Sequence, residues 1–260
     1  MYTMIEHHEQ SGDFPYKPML VALIFFAITM LYIGAVVVSN RHYRKWPRYR
    51  IYCWCAGVWC AALAIIGPLA DRGHTDFTAH MTGHLLLGML APLLTVLAAP
   101  AALVLRSLKI SSARRFSRIL KSRFMHFFMH PFTASLLDIG GLWVLYTTGL
   151  YEAMHKNMLI NIAVHIHVFL AGYLFTASII YMNPVSHRFS FKYRAAMLIM
   201  AFAGHSILSK IIYASPQEGV PIEQVKNGAQ FMYFGGDAIE LLMITIFCYQ
   251  WYKGAVLRNQ

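Results

Sequence analysis

The chain has 260 residues, of which 58% are hydrophobic and only 13% charged, against roughly 25% charged in a soluble domain. Too few charges exist to coat a soluble domain of this length. The apolar content excludes disorder, and the lack of a short period excludes repeat and low-complexity chains. The membrane class remains. The net charge is +11, four Cys are too few for a disulfide framework, and 13 His outnumber the 11 Asp+Glu. That last imbalance points to metal or haem chemistry.

Seven apolar segments follow one another along the chain: Pro18–Val38, Ile51–Ala70, Ala79–Ala99, Phe132–Tyr151, Met158–Met182, Ala195–Tyr213 and Ala229–Tyr249. Each is near the ~20 residues that cross a bilayer as a helix. Backbone groups in lipid must be satisfied within the segment, and no alternating ten-residue pattern suggests a barrel. The expected fold is all-α: a polytopic seven-helix membrane domain over residues 18–252. An extracytoplasmic tail (1–17) and a cytoplasmic tail (253–260) flank it. The first segment is not a cleavable signal, since a polar stretch without a basic region precedes it and Val36-Val37-Val38-Ser39 is not a cleavage site.

Charge placement sets the expected direction. Of the 22 Lys+Arg, 17 fall in the loop 40–50, the loop 100–131, the loop before the sixth span and the C-terminal tail. Lys17, Arg72, Lys156, Lys210 and Lys226 lie on the other side, with all eight acids outside the spans. Positive charge stays inside, so the N-terminus is expected outside and the C-terminus inside. The basic balance is then a topology signal and not a nucleic-acid footprint. The long connection 100–131 reads as an interfacial helix with a polybasic lipid-facing surface.

Ionisable groups inside spans are costly and therefore candidates for function. They are His80, His84, Asp138, His165, His167, His205, Asp237 and Glu240. With the expected direction, most lie in the outer half of the bilayer. His80 and His84 are spaced i, i+4 and share a helix face, a spacing that can place two imidazoles on one metal ion. Imidazole suits copper, and the thioether of adjacent Met81 adds a soft donor for Cu(I). The alternative is that these His only hydrogen-bond across helices. His165 and His167 point to nearly opposite faces, so His165 shares the site more easily, with Asn161 one turn above it. His205 is a ligand or a packing residue. Asp237, after Gly235-Gly236, is a ligand, an acceptor for a His N–H or a proton carrier. Glu240 shares its face, and Asp138 can pair with any of these. Cys53, Cys55 and Cys60 fall in the second span, with Cys53 and Cys55, like Cys248, near the inner surface; Cys-x-Cys on a helix directs its sulfurs apart. The tail Met4-Ile5-Glu6-His7-His8-Glu9 can hold copper loosely or is disordered. No phosphate-binding loop, dinucleotide fingerprint or nucleophile elbow occurs, so no enzyme is expected.

The third span reads His80-Met81-Thr82-Gly83-His84-Leu85-Leu86-Leu87-Gly88-Met89-Leu90-Ala91-Pro92, followed by Ala98-Ala99-Pro100 and Arg106. This resembles the membrane-integral CtaG family of cytochrome c oxidase assembly factors, where an H-M-x-x-H-L-L-L segment, an Ala-Pro kink and a Gly/Ala-Pro exit recur. Leu150-Tyr151-Glu152, His165 six residues before Ala171-Gly172, and Met232-Tyr233-Phe234-Gly235-Gly236-Asp237 are similar to other family runs. Tyr146 and Asn161 stand where the family pattern has His. The resemblance implies a seven-span protein of the bacterial cytoplasmic membrane that matures a haem–copper oxidase, with oxidase subunits or copper chaperones as partners and copper as the metal handled. His80, His84 and His165 would hold it and Asp237 would tune them. A CopD-like copper permease and a bis-His b-type haem protein are the competing expectations.

Overall fold

The computed structural model describes residues 16–73, 75–182, 189–215 and 220–256, and these are helical with short connections. The N-terminal tail with His7 and His8, and residues 257–260, lie outside them. The helices are α1 (Tyr16–His42), α2 (Arg48–Ile65), α3 (Pro68–Arg72), α4 (Phe77–His84), α5 (Ala91–Leu97), α6 (Pro100–Ser107), α7 (Ile110–Leu120), α8 (Arg123–Phe128), α9 (Pro131–Thr147), α10 (Leu150–Lys156), α11 (Met158–Ile179), α12 (Phe191–Ala214) and α13 (Ile222–Val256). A π-helical segment, Leu85–Leu90, joins α4 to α5. Several N-termini carry side-chain caps: Asp76 accepts from the Thr78 N–H at 2.8 Å, and Asn157 from the Leu159 N–H at 2.9 Å. Each satisfies a donor that has no intrahelical partner.

Among the described residues, six helical stretches are long and apolar enough to cross a membrane, including Phe77–Ser107 as one path. The protein is a multi-pass membrane protein. The fourth expected span, Phe132–Tyr151, is shorter than anticipated: α9 has 17 residues and stops at Thr147. Thr147 and Thr148 turn their hydroxyls back onto the carbonyls of Trp143 and Val144. Thr148 then leaves the helical region (φ −122°, ψ 175°), and Leu150 starts a separate short helix. Local hydrogen bonding by Thr thus competes with the helical ladder, a cost hydropathy does not register. The second span also breaks earlier than expected, at Ile66, because Gly67 sits at φ 91°. The basic connection is three short helices and not one; α7 and α8 bury no residue.

The third span carries the bend foreseen at Ala91-Pro92, in an unexpected form. Pro92 has no N–H, and its ring displaces the carbonyl four residues back. The helix widens instead of breaking: the Ala91 N–H bonds the Leu86 carbonyl five residues earlier, a π-type closure of the kind that often marks functional sites. Against the segment, α11 lies backbone to backbone. A Cβ on Gly172 would stand 2.0 Å from the Gly88 oxygen and 3.1 Å from the Pro92 ring, so only glycine permits the approach.

The interior divides into one cluster around Phe77, Met81, Leu145, Met154 and Met232 and another around Leu93, Phe175, Ile179, Leu198 and Phe247. Large apolar side chains such as Leu31 (74% exposed), Leu159 (77%) and Phe234 (68%) face outward, as helices solvated by acyl chains require. In that solvent packing, and not the hydrophobic effect, holds helices together.

Candidate functional site

His84 stands where two cavities meet. The smaller, about 30 Å³, lies between the two core clusters and is lined by His84, Asp138, His205 and Glu240 among apolar neighbours. It exceeds the roughly 10–15 Å³ that a single water needs. The larger is a lateral cleft of about 560 Å³ between α1, α2, α4 and α11; its wall carries His80, His84, Tyr146, His155, Asn161 and His165.

The inner group is buried. His84 is 7% exposed, His205 2% and Glu240 6%. The His84 and His205 rings are 6.4 Å apart, tilted by 31°. His205 Nδ1 is 3.1 Å from Glu240 Oε1, yet the two are not aligned as a hydrogen bond. His84 Nε2, both His205 nitrogens and Glu240 Oε1 are buried without a hydrogen-bond partner. Buried polar atoms are normally satisfied, so four orphans in one place call for an occupant or a proton. Gly236 admits the His205 ring: a Cβ there would stand 2.4 Å from His205 Cε1.

The outer group surrounds His80. Its Nε2 is 3.1 Å from the Tyr146 hydroxyl, the Tyr151 ring meets it edge-on at 5.0 Å, and the His155 ring lies at 6.0 Å. His165 Nδ1 donates to the Asn161 carbonyl at 2.8 Å, which leaves Nε2 as the nitrogen with a lone pair. Position 146 still faces the site although it holds Tyr, and Asn161 borders the same cleft.

Other expected site residues stand apart. His167 faces away from His165, its Nε2 donating to the Leu137 carbonyl at 3.2 Å. Met81 is fully buried in the core. Asp237 is half-buried and lines neither cavity, while Glu240 reaches His205. None of the four Cys lines either cavity. Tyr146 stands at a position where the family pattern has His, but the sequence did not show that it meets His80 together with Tyr151 and His155. The available signal was the i, i+4 spacing of Tyr151 and His155, which puts both on one face of α10.

The profile of the cytochrome c oxidase caa3 assembly factor family, Caa3_CtaG, matches residues 30–254. The chain belongs to that family. It is also similar to uncharacterized proteins of Mycobacterium bovis and Mycobacterium tuberculosis, each 29% identical over 184 residues, or 67% of this chain. A Mycobacterium leprae protein is 28% identical over the same length. The chain spans 28% of the length of these relatives. No solved structure matches it.

Imidazoles lining apolar cavities are donors of a kind that binds copper among other transition metals. Among the described residues, no three His, Cys, Asp or Glu side chains converge closely enough to bind a metal ion as they stand. The buried nitrogens of His84 and His205, and Nε2 of His165 on the cleft wall, are placed to take up a ligand without giving up an existing hydrogen bond.

Proposed function

We propose that this family member assists maturation of a haem–copper cytochrome c oxidase by handling copper as cargo at the outer ends of its helices. The observation that carries the reading is the pair of buried imidazoles with unpartnered nitrogens, His84 and His205, in contact with a His-lined cleft. Copper entering the cleft meets His80 and His165 first. His84 is shared by both cavities, so it can pass the ion toward His205, where the Glu240 and Asp138 carboxyl groups line the same small cavity. Low coordination number keeps holding weak enough for release to an oxidase subunit or a copper chaperone. The chain acts on a client and turns over no substrate, so no catalytic residue is assigned.

The bacterial cytoplasmic membrane is its place. α9, at 17 residues, is read as the seventh crossing, at the short end of the ~17–25 residues that span a bilayer. The N-terminus is then outside and the C-terminus inside, and lipid surrounds the bundle.

Copper per protein, measured on untagged material at matched expression, tests the reading. His84→Ala is expected to remove most bound copper and oxidase activity while protein abundance holds. Changing Cys53, Cys55, Cys60 and Cys248 to Ser is expected to leave both nearly intact. The reverse pattern would overturn the assignment and favour a copper permease entered from the cytoplasm. Imidazole and thiol both bind metal only when deprotonated, so copper retention should fall as pH is lowered, measured as copper per protein across a pH series.

One observation favours a second reading. The 560 Å³ cleft is broad and apolar and has His80, His84 and His165 on its walls, which fits a haem held by two imidazoles. A visible spectrum of the purified protein with Soret and α bands would establish it.

A further inference from the structure

A second built feature lies at the opposite end of the bundle, where α1 ends and α2 and α6 begin. Trp46 is 4% exposed and is clamped there. Its backbone N–H donates to Asn40 Oδ1 at 2.7 Å. Its indole N–H donates to the Tyr32 hydroxyl at 3.1 Å, which donates in turn to the Ala98 carbonyl at 2.8 Å. Two guanidinium groups lie on this fixed ring: Arg50 at 4.6 Å and Arg106 at 5.0 Å from its centre. Arg106 also lies over Tyr43 at 5.2 Å and donates to the Arg44 carbonyl at 2.6 Å. Arg44, Lys45, Trp46, Pro47, Arg50 and Arg106 border one open concavity of about 590 Å³.

Four cations share this concavity. The helices and the loop that supply them have no counter-charge, because no Asp or Glu occurs between Asp13 and Asp71 or between Asp76 and Asp138. Holding like charges together without an acidic partner is unfavourable unless an anion binds. The guanidiniums are stacked and tethered, so less of their freedom is lost on forming bidentate bonds to phosphate. Pro47 precedes α2 without any side-chain cap, so that helix start favours negative charge as well.

We propose that this concavity binds the phosphodiester of an anionic phospholipid. A lipid is preferred over soluble phosphate because the site stands where membrane helices end. Exposed Val37, Val38 and Tyr52 flank it and offer apolar surface along which acyl chains can lie. Exposed Tyr43 and Tyr49 give it the aromatic rim of a membrane interface. The bound lipid would brace the Trp46–Tyr32–Ala98 link, and so the exit of the third span. This inference does not depend on the copper reading.

The test is native mass spectrometry of the full chain released from mixed phosphatidylglycerol and phosphatidylcholine bilayers. Phosphatidylglycerol is expected to be retained selectively. Arg50→Gln with Arg106→Gln should cut that retention about tenfold, and Lys226→Gln at the other end of the bundle should leave it unchanged. Should the double variant fold poorly, exposed Arg44→Gln with Lys45→Gln is expected to weaken retention about threefold. Equal retention of both lipids, undiminished retention in both double variants, loss in Lys226→Gln, or displacement by millimolar inorganic phosphate would each overturn the proposal.

Discussion

Glycines at two positions, Gly236 and Gly172, decide how closely the elements that carry the site can approach. Gly236 on α13 leaves the room into which the His205 ring fits, with only 2.4 Å between its virtual Cβ and His205 Cε1. Gly236→Ala must push that ring off Glu240 at an overpacking cost of about 1–3 kcal/mol. The expected outcome is a loss of oxidase maturation larger than the drop in Tm, measured on membranes and on purified protein. Ala99 is a different case. It is fully buried at φ 52°, ψ 55°; Pro100 disfavours the right-handed helical region for the residue before it, and here the chain takes the left-handed region instead of the extended one. Ala in the left-handed region costs about 1–2 kcal/mol, and a β-branched residue costs more. Ala99→Val is therefore expected to lower Tm markedly, whereas Ala99→Gly should change it little: the relief of strain offsets the lost methyl contact. Equal Tm values for the Val and Gly variants would contradict this.

At the scale of elements, the π segment and α11 form one unit. Pro92 frees the Gly88 carbonyl from the regular ladder, and Gly172 lets the α11 backbone reach it. Gly172→Ala places a methyl 2.0 Å from a backbone oxygen, which no side-chain rotation can relieve. A destabilisation of about 2–3 kcal/mol is expected, read as a lower Tm and faster proteolysis. Because α11 also carries His165, and α4 carries His80 and His84, the same variant should reduce copper retention. Retention of copper at full Tm would show that the two backbones are not in contact. The Ala-Pro signal was legible in the sequence, but a kink and a π widening share that signal. Which forms depends on what packs against the freed carbonyl.

For the whole molecule, the placement of Lys and Arg predicts an outside N-terminus and an inside C-terminus. A reporter active only in the cytoplasm, fused after Gln260, should be active; activity of a periplasmic reporter at that point would reverse the direction. The same layout separates two chemistries. The cavity-lining histidines gather toward one end of the bundle, and Arg50 and Arg106 with Trp46 at the other. The 17-residue α9 makes the number of crossings the point on which this layout turns, so reporters in the loops before Pro131 and after Lys156 test it directly.

The sequence by itself determined the helical class, the multi-pass membrane character, the family likeness and the residues dear enough in lipid to need a reason. Composition, a ~20-residue apolar length and the cost of buried charge are properties of local chain and solvent, so they are readable one segment at a time. Which costly residues meet was decided only by tertiary structure. His205 and Glu240 join His84, Asp237 lines neither cavity, His80 faces Tyr146 and His155, and His165 turns its Nδ1 to its own helix. Spacing along one helix fixes a face, but it does not say which face of another helix comes opposite. That depends on where glycines permit close contact and where Pro92 rotates one turn against the next.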